Sequence, residues 1–308
     1  MSALLAAPGA AQAQKELSPP AAVAPAGATP LDPLIVTGRA APVRMRVEAL
    51  QRAVTPRTAS DEPLPRFGDP ICFAAAGLDR GTLEQLGGRL VEDAAQAGIT
   101  LAGPGCRPNV TLVFVEDVDA AFSRLRQRDP LRFGYRTREE IDAIGQQGGP
   151  VRAWRIIETR SRDGDRIGAN VASGSFSATL AVTTASHLFA AIRRDILASV
   201  ILIERTAIIG KTPVQIADYV AMRALGDANP LRGPEDGATA TSDTILLLFD
   251  PNIAAPPQEL TGFDRGYLKG LYSGSANQLA SMHRGADRPD DPRATRGRYR
   301  PRGKNADQ

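Results

Sequence analysis

The chain has 308 residues, of which 43% are hydrophobic and 5% aromatic, so it could hold one large domain or two small ones. Its formal net charge of +3 is unevenly placed, because residues 284–308 carry a net charge of +4 and the remainder a net charge of −1. This excludes a strongly basic folded centre, and no segment reaches the roughly 18 uninterrupted apolar residues of a membrane-spanning helix.

The first residues, MSALLAAPGAAQAQ, end in the pattern Ala11-Gln12-Ala13, which is of the kind that signal peptidase cleaves after a short apolar stretch. The basic residues that normally precede such a stretch are absent. We therefore interpret residues 1–13 as a truncated secretory signal whose true start lies upstream. An Ala-rich disordered end is the alternative. The first interpretation predicts a periplasmic or secreted protein.

Two flanking segments are predicted to be disordered. Residues 14–66 are rich in Ala, Pro and Thr, and their repeated prolines prevent regular helix, so we predict a linker there. Residues 284–308 are predicted to form a disordered basic tail, which could instead contact an anionic surface. A single folded domain is therefore expected over residues 67–283.

The first part of this domain shows a strand, helix, strand pattern. Residues 71–73 could form a short strand, and Asp79 or Thr82 can cap the helix that follows. Gly98 is placed to end that helix. Residues 110–115, VTLVFV, have the apolar and β-branched composition of a buried strand.

The two cysteines of the chain, Cys72 and Cys106, lie on either side of this predicted helix. Sequential strands usually lie side by side, which makes a disulfide between Cys72 and Cys106 geometrically plausible. An oxidising compartment would favour the bond. Two independent buried thiols are the alternative.

The middle of the chain predicts further helices and strands. Asp119 is expected to start a second helix, and the sequence Thr137-Arg138-Glu139-Glu140 is a capping box for a short third one. Strands are predicted at 151–160, 167–171, 176–183 and 199–203. These elements predict an α+β fold class, in which a mixed sheet is packed against helices.

Residues 211–230, KTPVQIADYVAMRALGDANP, predict an amphipathic helix. Thr212 is a good N-cap, and Pro213 suits the first turn. At about 100° per residue, one apolar side is expected to pack on the sheet. The other, more polar side consists of Gln215, Asp218, Tyr219, Met222, Arg223 and Gly226. That side is predicted to be either a solvated surface or the wall of a cleft.

The pattern Tyr219-Val220-x-x-Arg223-x-x-Gly226-x-x-Asn229 resembles the active-site helix of metzincin zinc peptidases, H-E-x-x-H-x-x-G-x-x-H. The segment 246–252, LLLFDPN, stands where the Met-turn of that family would be, and a capped helix follows from Thr261 to Tyr272. The chain is also similar in layout to uncharacterised secreted proteins of alphaproteobacteria. The resemblance implies a degenerate zincin-like domain over about 195–273, in which only the glycine of the motif is kept.

The resemblance implies that Tyr219 and Arg223 line an old cleft with Asn229 at its rim, and the helical wheel adds Gln215 and Asp218 to the same face. No metal site, cofactor or catalytic residue is predicted, because a protonated Arg cannot ligate zinc. The leading hypothesis is a non-catalytic secreted or periplasmic protein that binds an unknown protein or peptide partner through this cleft. The alternative is a hydrolase with an unrecognised, non-zinc active site around Asp218, Tyr219 and Arg223.

Other residues offer little support for catalysis. His187 and His283 are the only histidines, and we interpret them as packed or solvated. Trp154 is predicted to pack in the core or on a hairpin. The chain contains no G-x-S-x-G, P-loop or G-x-G-x-x-G motif, and no specific nucleic-acid partner is expected.

Overall fold

The computed structural model describes residues 43–56, 62–167, 189–231 and 243–282. Within these ranges the α-helices are α1 (Val43–Val54), α2 (Arg80–Gln96), α3 (Val118–Arg128), α4 (Arg138–Gly145), α5 (Pro213–Leu225) and α6 (Gly262–Ser273). The strands are β1 (Phe73–Ala76), β2 (Val110–Val115), β3 (Val151–Ser161) and β4 (Ile192–Glu204). The predicted α+β class with a mixed sheet is confirmed.

The four strands form one sheet in the order β1-β2-β4-β3. β1 pairs with β2 and β2 with β4 in parallel, whereas β3 and β4 run antiparallel. The strand predicted at 199–203 is part of β4, which begins earlier, at Ile192. The last of the described strands therefore lies in the interior of the sheet.

Helices cover both faces of the sheet. On one face α2 and α5 pack on a large core that includes Leu112, Ile201 and Ile203. On the other face α3 and α4 pack over Trp154 and Phe133, whose rings stack at 5.0 Å between centroids. The prediction that Trp154 is a packing residue is confirmed, because its side chain is buried. Alternating side chains of β2 and β4 supply the two cores.

The helix ends follow the capping residues in the sequence. Asp79 caps α2, and Gly98 follows it with φ +80°, a conformation that favours glycine. Thr137 forms the predicted capping box of α4. The predicted start of α3 at Asp119 is wrong by one residue, because Asp117 is the cap and the helix begins at Val118.

Helix α1 corrects the predicted boundary of the linker. Leu50 and Val54, one turn apart, are buried in the main core. The backbone carbonyl of Val54 accepts a hydrogen bond of 2.7 Å from the N–H of Asn229. The prediction of a disordered linker over 14–66 is therefore wrong for residues 43–54. Although the segment is rich in Pro and Ala, the apolar stripe of α1 packs on the main core and stabilises the helix.

Several predictions concern residues outside the described ranges. These are the signal over 1–13, the linker over 14–42, most of the strand at 167–171, the strand at 176–183 and the tail over 284–308. Among the described helices, none combines the length and hydropathy that crossing a bilayer requires.

Gly226 ends α5 at the point where α6 packs against it. Its φ of −89° is open to any residue, and the left-handed conformation is taken by the next residue, Asp227, with φ +50°. A Cβ on Gly226 would lie 2.9 Å from the Met222 carbonyl oxygen and 3.1 Å from side-chain atoms of both Leu268 and Tyr267. The glycine is therefore required by the close approach of the two helices.

Replacing Gly226 with Val should lower the free energy of unfolding by about 2–3 kcal/mol, because the new side chain overpacks the contact with α6. Urea unfolding followed by circular dichroism measures the change. The control is Gly88→Ala on α2, where a Cβ meets no atom within 4 Å and stability should rise by about 0.5–1 kcal/mol. An unchanged urea midpoint for Gly226→Val would contradict the packing argument.

The predicted disulfide between Cys72 and Cys106 is present, with 6.1 Å between the two Cα atoms. It joins the chain just before β1 to the chain just before β2, and α2 lies inside the closed loop. The alternative of two independent thiols is wrong. The bond thus closes the strand, helix, strand unit covalently.

Reduction of this disulfide should lower the free energy of unfolding by about 4 kcal/mol in the chain-entropy model, since the bond joins residues 34 apart. Thermal unfolding with and without reductant measures the loss, and the intact mass should rise by two hydrogens on reduction. The Cys72→Ser/Cys106→Ser variant is the control, and its melting temperature should not respond to reductant. Two thiols that alkylate before reduction would disprove the bond.

Candidate functional site

Helix α5 is enclosed by its neighbours. Every residue from Gln215 to Leu225 is buried, and Asp218, Tyr219 and Arg223 are 0%, 3% and 2% exposed. Both predicted alternatives, a solvated surface and the wall of an open cleft, are therefore wrong for these three residues. The reason is that α2, α6 and the segment before α6 add a second layer over α5.

The start of α5 is fixed by a capping box between Thr212 and Gln215. The Gln215 side-chain oxygen accepts a hydrogen bond of 3.0 Å from the Thr212 N–H. Its side-chain nitrogen donates one of 2.8 Å to the carbonyl of Pro257. Gln215 therefore connects the first turn of the helix to the segment that precedes α6.

The carboxylate of Asp218 is the centre of a buried ion pair. The Arg89 guanidinium, from α2, donates to it through Nε at 2.6 Å and Nη2 at 3.0 Å. The backbone N–H of Leu260 donates to the same carboxylate. The hydrogen bond to Asp218 is the main cause that raises the pKa of Arg89. A bidentate pair of this kind fixes the relative position of both helices.

Asp93 lies one turn beyond Arg89 on α2 and is 1% exposed. Neither of its carboxyl oxygens accepts a hydrogen bond. Burial, reinforced by the neighbouring carboxylate of Asp218, raises the pKa of Asp93 to about 8. The Arg89 Nε atom lies 3.4 Å from the Asp93 carboxyl group and opposes this rise in pKa only in part.

Tyr219 packs against the turn that follows α5 in the chain. Its ring meets the Phe249 ring edge-on, with 4.8 Å between centroids. Burial raises the pKa of its hydroxyl above the ordinary value. The segment 246–252 therefore lies against α5 at the residue that stands at the first ligand position of the metzincin motif.

Arg223 is a buried guanidinium held by neutral acceptors. It donates to the Ala228 carbonyl at 3.2 Å and to the Gln147 side-chain oxygen at 3.1 Å. Its own carbonyl accepts a hydrogen bond from Arg155 of β3, which is also paired with Asp227. Burial is the main cause that lowers the pKa of Arg223. The Arg223 side chain thus holds the end of α5 to Gln147, and the Arg155 side chain links the backbone of α5 directly to the sheet.

Asn229 does not join Tyr219 and Arg223 at a common surface. It is half-buried, and its side-chain nitrogen lies 3.4 Å from the Thr55 carbonyl, just after α1. The prediction that Asn229 forms the rim of a cleft with those two residues is wrong. Its contacts fix α1 against the end of α5.

An open cavity of about 670 Å³ lies beside the first turn of α5. Lys211 lines it and lies over the Phe249 ring, 5.4 Å from the centroid. Of the predicted cleft residues, Gln215 is the one that lines this cavity. The other lining residues are Pro150, Ala207, Gly210, Thr212, Leu248, Phe249, Asp250, Pro251, Ile253, Ala254, Ala255, Pro256 and Gln258.

The residues that sequence reasoning missed are Arg89, Gln147 and Arg155, each on a different element from α5. Their separations in sequence from their α5 partners are 129, 76 and 68 residues. No local pattern marks such pairs. The only available signal was a charged residue in each of two helices that were predicted to pack on the core, Arg89 and Asp218. A buried charge needs a partner, so such residues are candidates for an ion pair.

In the part of the chain that the structure describes, no three His, Cys, Asp or Glu side chains gather closely enough to hold a metal ion. His187 and His283 lie outside the described residues. No protein family profile, no curated protein and no solved structure matches the chain significantly.

Replacing Asp93 with Asn should change how stability depends on pH. Between about pH 4 and pH 8 the unfolded chain loses a proton that the folded protein keeps on Asp93, so the free energy of unfolding of the natural protein falls as pH rises. The Asn side chain is neutral throughout and removes this loss. Asp93→Asn should therefore gain stability relative to the natural protein from pH 5 to pH 8.

Chemical denaturation at pH 5, 6, 7 and 8 measures this difference. The control is Glu84→Gln, the same acid-to-amide change at an exposed carboxylate of α2 whose surface ion pair with Arg80 contributes little to stability. A constant difference for Asp93→Asn across this range would show that Asp93 is ionised in the folded state at pH 5.

Proposed function

We propose that the protein is a non-catalytic binding protein of the periplasm or extracellular space, built on a degenerate zincin-like scaffold. The observation that carries this proposal is the use of the polar side chains of α5 as structural bonds. Asp218 is held by Arg89, and Arg223 is held by Gln147. Asp218, Tyr219 and Arg223 are buried, so these three side chains are not accessible for chemistry on a substrate.

The arrangement around α5 supports the zincin-like part of the proposal. A strand, β4, precedes the helix, an apolar turn packs against it, and a capped helix, α6, follows. Metzincins place a Met-turn in the corresponding order. Here the ring of Phe249, which belongs to the turn, packs edge-on against Tyr219. Tyr219 stands at the position that the resemblance assigns to a zinc ligand, so an aromatic contact takes the place of that ligand.

The cavity beside Lys211 and Gln215 is the proposed binding surface. Its volume of about 670 Å³ is within the range of ligand-binding clefts and can take side chains of a protein or peptide partner. Both charged side chains, Lys211 and Asp250, and several backbone groups line it. The disulfide between Cys72 and Cys106 supports an oxidising compartment.

The non-catalytic part of the proposal is tested by metal analysis of the purified protein together with a peptide cleavage assay. We expect no stoichiometric zinc and no turnover. Stoichiometric zinc combined with peptide cleavage that a chelator abolishes would refute the proposal.

The binding surface is tested by photo-crosslinking from a benzoylphenylalanine placed at Gln258, which is exposed and lines the cavity. We expect a discrete crosslinked partner in envelope extracts, and Ala254→Trp should reduce its yield at least fivefold by filling the cavity. The same crosslinker at Leu131, which is 84% exposed and lies outside the cavity, is the control. Equal yields with and without the Trp would exclude this surface.

The alternative hydrolase gains no support from the geometry, because Asp218, Tyr219 and Arg223 are all buried. Alanine at Arg223 would remove the donor that Gln147 and Ala228 share, so its first effect should be on stability. The suggestion that the basic tail contacts an anionic surface concerns residues 284–308, which lie outside the described ranges. It stays a prediction.

A further inference from the structure

The two edge strands of the sheet, β3 and β1, differ in how their outward backbone groups are hydrogen-bonded. Along β3, the Gln147 side chain bonds the backbone of Ala153 twice, accepting from its N–H at 3.2 Å and donating to its carbonyl at 2.9 Å. Arg136 donates to the next outward carbonyl, that of Arg155, at 3.0 Å. These side chains occupy backbone groups that an added strand would use, so the β3 edge is blocked at Ala153 and Arg155.

On the β1 edge, backbone hydrogen bonds on the outer side are formed by Ile71, two residues before the strand begins. The N–H of Ile71 donates to the Thr100 carbonyl at 2.9 Å, and its carbonyl accepts from Ala102 at 2.9 Å. The next residue, Cys72, faces the other way, since its carbonyl accepts hydrogen bonds from the chain entering β2. The segment around Thr100 therefore pairs with the outer side of the chain at Ile71.

Strand alternation carries this outward direction to Phe73 and Ala75, two and four residues beyond Ile71. Their N–H and carbonyl groups face away from β2. No residue that the structure describes forms a backbone hydrogen bond with them on the outer side. β1 thus presents a short row of free donors and acceptors.

A groove of about 200 Å³ lies between this edge and α2. Phe73, Ala75, Leu83 and Gly87 are among its lining residues, which are mostly apolar. A Cβ on Gly87 would meet no atom within 4 Å, so the groove is open above the helix. The charged residues that line it, Arg80 and Glu84, form an ion pair of 2.7 Å with each other and leave it electrically neutral.

We propose that the β1 edge is a strand-addition site for an extended, uncharged peptide segment of a partner protein. The peptide would hydrogen-bond to Phe73 and Ala75 and place one side chain in the groove over Gly87. The neutral lining favours uncharged side chains, because a charged one would lose water without gaining a counter-ion.

A second copy of the chain fits this edge poorly. β1 has four residues, of which two face outward, so pairing between two copies would bury far less than the roughly 1,200 Å² of a stable interface. The β1 groove and the cavity beside Lys211 share no lining residue, so this inference goes beyond the proposed function and is tested separately.

The experiment uses the full chain and a library of acetylated, amidated hexapeptides made of Ala, Ser, Thr, Val and Ile. Nuclear magnetic resonance titration with the tightest-binding peptide should shift the amide signals of Phe73 and Ala75 and slow their hydrogen exchange at least tenfold. Failure of the whole library to bind, or exchange that stays unchanged at these two amides, would overturn the proposal.

Two adjacent glycines of α2 provide a matched pair of variants. Gly87→Leu fills the groove, whereas Gly88→Leu adds the same side chain at a residue that does not line it, and neither new Cβ meets an atom within 4 Å. Both variants should keep or raise stability, because glycine is unfavourable inside a helix. Gly87→Leu should weaken peptide binding at least tenfold, and Gly88→Leu should leave it unchanged. Equal binding by both would overturn the proposal.

A backbone variant tests the hydrogen bonds themselves. Ala75→Pro removes the outward N–H, a change that an edge strand tolerates, and should also weaken peptide binding at least tenfold. Analytical ultracentrifugation tests the other occupant. A concentration-dependent dimer that Gly87→Leu abolishes would overturn the proposal in favour of a second copy of the chain.

Discussion

The pair between Arg89 and Asp218 is the interaction on which the packing of the α2 and α5 layer depends. Two charges leave water together, and the cost is met because the guanidinium binds the carboxylate through two nitrogens while Leu260 supplies a backbone donor. Burial and the neighbouring carboxylate of Asp218 raise the pKa of Asp93 beside them, which favours its neutral form. Loss of Arg89 would leave the Asp218 carboxylate as an uncompensated buried charge, typically at a cost of about 3–5 kcal/mol. The pair thus holds α2, α5 and the approach to α6 in one arrangement.

A helix fixed in this way differs from a catalytic one. In an enzyme, polar groups on the site helix remain directed at a substrate or metal, and their strength there comes from being prearranged and free. In this chain the side chains of Gln215, Asp218 and Arg223 are also held in fixed positions, but their hydrogen bonds are to other parts of the fold. The two proposed binding surfaces therefore lie at the margins of the layer, where backbone and short side chains are accessible.

Local signals in the sequence predicted the elements well. The cap at Thr212, the strand at 110–115 and the pairing of the two cysteines all depend on residues near in sequence or on one probable neighbour. The burial of Asp218 could not be predicted, because its partner is 129 residues away and a helical wheel describes one helix without what covers it. Helix α1 was missed for a related reason, since its apolar stripe is meaningful only beside the core it covers.

The strand order has a consequence for the order in which the sheet forms during folding. β4 supplies the neighbour of both β2 and β3, yet it is the last of the four described strands along the chain. β1, α2 and β2 are close in sequence and can form early. β3 pairs only with β4 in this sheet, so it joins β2 only once β4 lies between β2 and β3. Bringing distant segments together in this way is slow, since loop closure precedes the contacts that reward it. Completion of the sheet is thus a single late step that joins its two halves.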